Sequence, residues 1–191
     1  MKLTQVKGNT WVLEGFELIP LYRLDNNKCI LLDTGLEQER EDIENTLLEA
    51  GLIPAGILCS HAHIDHAGNN RYFQEKYHIP VALTAREAGM CASVLSLKCY
   101  FLLLPPDMVE RESSNLVHTP DVIIPDQDGP FSFAGAEFTI LHTPGHSVGH
   151  VCTVTPDNVC YAGDALLSQE MLTSKLPYCL SHPVSYTHLR A

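Results

Sequence analysis

No Cys-x-x-Cys pair occurs in this 191-residue chain, and its seven cysteines (Cys29, Cys59, Cys91, Cys99, Cys152, Cys160 and Cys179) are an odd number scattered singly. That spacing argues against a disulfide framework and against a thiolate zinc site, and leaves buried thiols in strands as the expectation, with Cys59 a small apolar filler. Basic residues are also scarce: 12 Lys and Arg face 23 Asp and Glu, a net charge of −11, which disfavours a broad nucleic-acid surface. No run approaches the roughly 18 apolar residues of a membrane span, and Met1 to Gly8 lacks the apolar stretch of a signal peptide. The expectation is a cytoplasmic protein without a membrane partner. Internal repeats and low-complexity linkers are missing too. With 45% hydrophobic and 18% charged residues, the chain has ordinary globular usage and enough length for one domain with a sizeable core.

What is present alternates between strand and helix patterns. Glu17 to Leu24, a polar Asp25-Asn26-Asn27-Lys28 turn and Cys29 to Asp33 predict a hairpin. Glu37 to Ala50 carries Ile43, Leu47 and Leu48 at helical spacing, with carboxylates in its first turns and Gly51 placed to end it. A strand at Gly56 to Cys59, a helix running to Tyr77, a strand at Ile79 to Leu83 and a helical stretch from Ala85 follow. From Cys91 to Pro120 the periodicity is poor, and this segment is expected to vary and to wall the site. Beyond it the chain is strand-rich: Phe131 to Phe133, Glu137 to Leu141, Val151 to Val154 and Val159 to Ala162. Strands flanked by helices imply a layered α/β architecture.

The chemistry is concentrated in His61-Ala62-His63-Ile64-Asp65-His66, three imidazoles and a carboxylate in one short turn after a strand. In an extended segment, residues two apart point the same way, so His61 and His63 can grip one ion together. Asp65 and His66 come where the chain turns helical, which aims them at a second point. Two later segments add donors. Thr143-Pro144-Gly145-His146 makes a sharp loop that would present His146 as a third imidazole, and Tyr161-Ala162-Gly163-Asp164 ends a strand with a carboxylate able to bridge two ions. Alone, a histidine after a strand is more often structural and a Gly-Asp is usually a turn; the six-residue turn raises both to ligands. His142 is expected at a strand end, since Pro144 prevents it sharing a helical face with His146. His150 is expected to satisfy backbone groups, with reach to the site the alternative, and His78 and His118 to lie on the surface.

In order and spacing, His61 to Gly68, Thr143 to His146, Ala162 to Asp164 and Leu31-Leu32-Asp33-Thr34-Gly35 resemble the metallo-β-lactamase superfamily, over roughly Val12 to Leu176. The resemblance implies an αββα sandwich. It also implies His61, His63 and His146 on a first divalent ion, Asp65 and His66 on a second, Asp164 between them, and Asp33 in support. Zinc is the expected metal, with iron and manganese compatible with the same ligand types.

Members of that family usually supply one more second-site histidine, after a further helix and strand, whereas only 27 residues follow Asp164 here. His182 is the one substitute before the tail, but it follows Leu176-Pro177 with no intervening strand. The expectation is a domain at residues 1–183 lacking its last helix and strand elements, with an unrelated tail at 184–191. Metal chemistry then predicts a hydrolase using a metal-bound hydroxide, oriented by Asp65, against a small-molecule ester, thioester, lactone, amide or phosphodiester. The alternatives are a mononuclear iron oxidoreductase of the persulfide dioxygenase type and an inactive truncated fragment.

Overall fold

The computed structural model describes residues 1–102 and 104–166; His182, Cys179 and the 184–191 tail lie outside them. The chain opens with strands β1 (Lys2–Lys7), β2 (Thr10–Glu14), β3 (Leu18–Arg23) and β4 (Lys28–Leu31), paired antiparallel in sequence order. Asn26 and Asn27 join β3 to β4 with φ of 59° and 60°, the paired left-handed conformation of a tight hairpin turn that asparagine tolerates. After helix α1 (Arg40–Glu49), strand β5 (Ile53–Leu58) runs parallel to β4. Helices α2 (Ile64–Ala67) and α3 (Asn70–Tyr77) lead to β6 (Val81–Thr84), parallel to β5. Helices α4 (Ala85–Cys91), α5 (Val94–Tyr100) and α6 (Pro106–Ser113) precede β7 (Val122–Ile124), which completes a seven-stranded mixed sheet in the order β1 to β7.

The second sheet is a four-stranded antiparallel meander of β8 (Gly129–Phe133), β9 (Ala136–His142), β10 (Val151–Val154) and β11 (Cys160–Tyr161). Side-chain alternation along β4 divides the core. Cys29 and Leu31 face one apolar cluster with Ile43 and Leu47 of α1, Phe73 of α3 and Leu97 of α5. Ile30 and Leu32 face the other, with Phe133, Phe138 and Ile140 of the second sheet. A central sheet buried on both faces explains why β4, β5 and β6 read as continuous apolar runs. Among the described residues, the layers are helices, seven-stranded sheet and four-stranded sheet, the α/β arrangement expected.

The structure adds elements that the sequence pattern did not show. The hairpin β1–β2 starts the fold, and Cys91 to Pro120 contains two helices. Helix α5 begins at Ser93, whose hydroxyl accepts the Ser96 N–H at 3.0 Å, and α6 starts on Pro106, a position where the missing N–H costs nothing. Each has at most eight residues and buries few side chains, Leu97 in one and Val109 and Ser113 in the other, too few to establish a period. The same segment corrects His118: it is 7% exposed, because the chain returns from α6 to place its N–H on the Cys91 carbonyl and its Nδ1 2.7 Å from the Leu116 carbonyl. Of the cysteines, Cys29, Cys59, Cys91 and Cys152 are buried, while Cys99 and Cys160 are exposed. Among the described residues, no helix is long and apolar enough to cross a membrane.

Candidate metal centre

Loops at the C-terminal ends of the parallel strands meet loops of the second sheet at one edge of the sandwich, the place where open α/β sheets hold ligands. Asp33 follows β4, His61 to His66 follow β5, and Thr84 ends β6 with Glu87 just beyond it. His146 lies between β9 and β10, and Asp164 follows β11.

His61, His63 and His146 are buried and offer ring nitrogens that lie within 4.8 Å of one another. His63 Nδ1 and His146 Nε2 face each other at 2.8 Å, and the His61 ring lies 4.5 Å from that of His63 and 5.0 Å from that of His146. Ser60 Oγ takes His61 Nδ1 at 2.9 Å, while His61 Nε2 is buried with no hydrogen-bond partner. An unpaired buried nitrogen costs roughly 1–3 kcal/mol; a divalent cation in front of it would remove that cost. Burial first, then the neighbouring imidazoles, push the pKa values of His61 and His63 well below the ordinary value, so both rings are neutral at pH 7, the form in which histidine binds metal. The donor set fits a divalent ion.

His66 sits beside this triad, its ring 4.2 Å from that of His61. Asp164 stands between the two halves, Oδ2 at 3.1 Å from His146 Nε2 and Oδ1 at 3.3 Å from His66 Nε2. Burial would raise Asp164, but the imidazoles of His66 and His146 hold it down at about 2. Asp65 is at the rim, its carboxylate 4.0 Å from His66 Nε2 and 29% exposed.

Asp33 also lies within 4.8 Å of donor atoms of His61 and His66, but its oxygens are already engaged. Oδ1 accepts from the Ser60 N–H at 2.6 Å, and Oδ2 accepts from Ser60 Oγ and the Tyr161 hydroxyl at 2.6 Å and from His66 Nδ1 at 2.7 Å. Burial would raise this carboxyl, yet these bonds, His66 first, hold it below its ordinary value. Asp33 thus supports the site, and it does so from a left-handed backbone, φ 74°. On His66, the effect of burial is outweighed by Asp164 and Asp33, which hold the imidazole well above its ordinary value.

A family model for the metallo-beta-lactamase superfamily matches residues 4–190. The chain belongs to that superfamily. It is 30% identical over 146 residues to a probable metallo-hydrolase, YqgX, of Bacillus subtilis (strain 168), covering 76% of this chain and 64% of that protein. It is 26% identical over 150 residues to a hydroxyacylglutathione hydrolase of Serratia proteamaculans (strain 568), covering 78% of this chain and 47% of that one. The chain therefore spans less than two thirds of the length of these relatives. Among solved structures, a beta-lactamase from Chitinophaga pinensis superposes with a TM-score of 0.74 at 18% identity, over 99% of this chain and 72% of its own. That likeness shows a metallo-beta-lactamase fold.

The superfamily motifs thus bring His61, His63, His146, His66 and Asp164 together around one point, with Asp65 at the edge. His150 satisfies a backbone group and also reaches the site: its Nε2 accepts the Asp164 N–H at 3.2 Å, its Nδ1 pairs with Thr143 Oγ1 at 2.8 Å, and its ring lies 4.9 Å from that of His61. Burial first, and His146 next, push it down to about 3, which preserves Nε2 as an acceptor. His142 ends β9 and pairs with Asp128.

Two residues of the site had no sequence signal of their own. Glu17, half-buried in the loop between β2 and β3, is raised by burial, partly offset by His66, with Asp164 and Asp65 adding to the rise. Glu87, on the first turn of α4, is fully buried. In a sequence, both read as surface carboxylates.

Proposed function

We propose that the chain is a metal-dependent hydrolase acting on a small-molecule acyl compound, with a thioester the first bond to test. The observation that carries this reading is the convergence of three buried imidazoles on one point, with His61 Nε2 left unpaired. His61, His63 and His146 would hold a first ion. His66, Asp65 and Asp164 would hold a second, Asp164 lying between His66 and His146. Histidine and carboxylate donors are compatible with zinc, iron and manganese alike, and zinc is the first to test. When bound, such ions bring the pKa of a water toward neutrality and polarise the oxygen of the bond under attack.

The chain's own residues supply the rest. Asp33 accepts a hydrogen bond from Nδ1–H of His66 and so directs Nε2 inward. Asp65, at the rim and part-exposed, is placed to accept a proton from an attacking water and to aim it. Tyr100 and Phe101 lie against His63, with ring centroids at 5.9 and 5.7 Å, and form an aromatic wall that keeps bulk water from one side of the site. The thioester choice is supported by the relative named as a hydroxyacylglutathione hydrolase. Free cysteines, six among the described residues, support a reducing, cytoplasmic setting.

The test is release of free thiol from acyl thioesters by the zinc-loaded chain, read with a thiol reagent, alongside oxyester, lactone and phosphodiester substrates. Metal-dependent turnover of a thioester, lost on chelation and in His146→Ala, supports the reading. A loaded protein that turns over none of these substrates contradicts it.

A further inference from the structure

The first ion's ligands come from two turns far apart in the chain, and something must fix the distance between them. His61 and His63 flank Ala62 after β5; His146 precedes Ser147 in the loop from β9 to β10. One buried side chain touches both. Glu87 accepts the Ala62 N–H on Oε2 at 2.8 Å and the Gly149 N–H on Oε1 at 2.7 Å, and the Ser147 hydroxyl also donates to Oε1. Thr84, the N-cap of α4, adds a bond from its hydroxyl to the Gly149 carbonyl at 3.0 Å. The Gly149 peptide is thereby held at both its N–H and C=O. It must be glycine to come this close: a Cβ there would meet Thr84 Oγ1 at 2.3 Å and Glu87 Cγ at 3.0 Å.

The geometry points to Glu87 as the positioning residue that sets the separation of the two ligand-bearing turns and so the shape of the first metal site. This rests on the reading of His61, His63 and His146 as its ligands. Only a carboxylate can do the task, because all three partners are donors and a carboxylate is acceptor-only. A glutamine would turn its amide N–H₂ toward one of them and push a turn away. Glu87 binds Ala62, the residue between two ligands, and Ser147, the residue after the third.

Cobalt(II) titration of the full chain tests this, with the visible d–d absorption reporting coordination shape and a competing chelator reporting affinity. Glu87→Gln, Ser147→Ala, the double variant and His146→Ala are compared with the unmodified chain, and circular dichroism confirms folding. Glu87→Gln is expected to bind the first cobalt ten- to a hundredfold more weakly and to shift or weaken the band. Ser147→Ala should lose less, and the double variant should be no worse than Glu87→Gln alone, because both act through one contact. Wild-type affinity and an unchanged band in folded Glu87→Gln would overturn the assignment, whatever its thermal stability. So would additive losses in the double variant. If Glu87→Gln does not fold, Ser147→Ala decides: a weakened, shifted band supports the clasp and an unchanged one overturns it. Failure of the underlying reading looks different, because His146→Ala would then bind cobalt like the unmodified chain.

Discussion

Asp33 Oδ2 lies 2.7 Å from His66 Nδ1, and this contact decides which nitrogen of His66 faces the site. With Nδ1–H donated to the carboxylate, Nε2 is directed to Asp164. Asp33→Asn keeps the shape but cannot accept all the donors that meet there. The expected result is a roughly ten- to hundredfold loss of affinity for the second ion with the first largely retained, measured by zinc titration against a chromophoric chelator. Equal loss at both sites would contradict this division of labour.

Removing one of three imidazoles leaves too few ligands for a closed coordination sphere. His61→Ala and His63→Ala should each lose the first ion and, with it, the rise in melting temperature on adding zinc, since an ion that binds only the native state stabilises it. Thermal melts with and without zinc check this; a full zinc-dependent rise in either variant would mean that the His61 to His66 turn is not the site.

The legible part of the site is the part written in short motifs. His61 to His66 are consecutive, and alternation alone predicts that His61 and His63 lie side by side, as their rings do at 4.5 Å; Asn26-Asn27 marks its own turn. Glu87 was illegible because its partners are 25, 60 and 62 residues away, and a glutamate in a first helical turn ordinarily complements the helix dipole at the surface. The burial of His118 is hidden in the sequence for a related reason, since it depends on how the chain folds back on Cys91. The hairpin β1–β2 leaves little trace in the sequence because β1 is an edge strand with mostly exposed side chains, without apolar alternation.

The cysteines supply a test of the core. Burial pushes the Cys29 and Cys91 thiols up to about 12 and Cys59 well above its ordinary value, so none offers a thiolate at pH 8. Iodoacetamide on the native protein should label the exposed Cys99 and Cys160 and leave those three unmodified until denaturant is added, as read by peptide mass mapping. Early labelling of Cys29 would contradict the packing of β4.

Phe138 joins the two sheets, 1% exposed and edge-to-face with Tyr22 at 5.8 Å. Phe138→Ala should cost about 3 kcal/mol or more, the range for emptying a buried aromatic site, measured by urea unfolding. A loss below about 1 kcal/mol would place that side chain outside the core.

The most direct test of the central claim is the metal content of the chain purified without added metal, determined by elemental analysis against protein concentration. Bound divalent metal, chiefly zinc, approaching two ions per chain is expected in the unmodified protein. Protein that is folded yet carries no metal, and takes up none on dialysis against zinc, would contradict it.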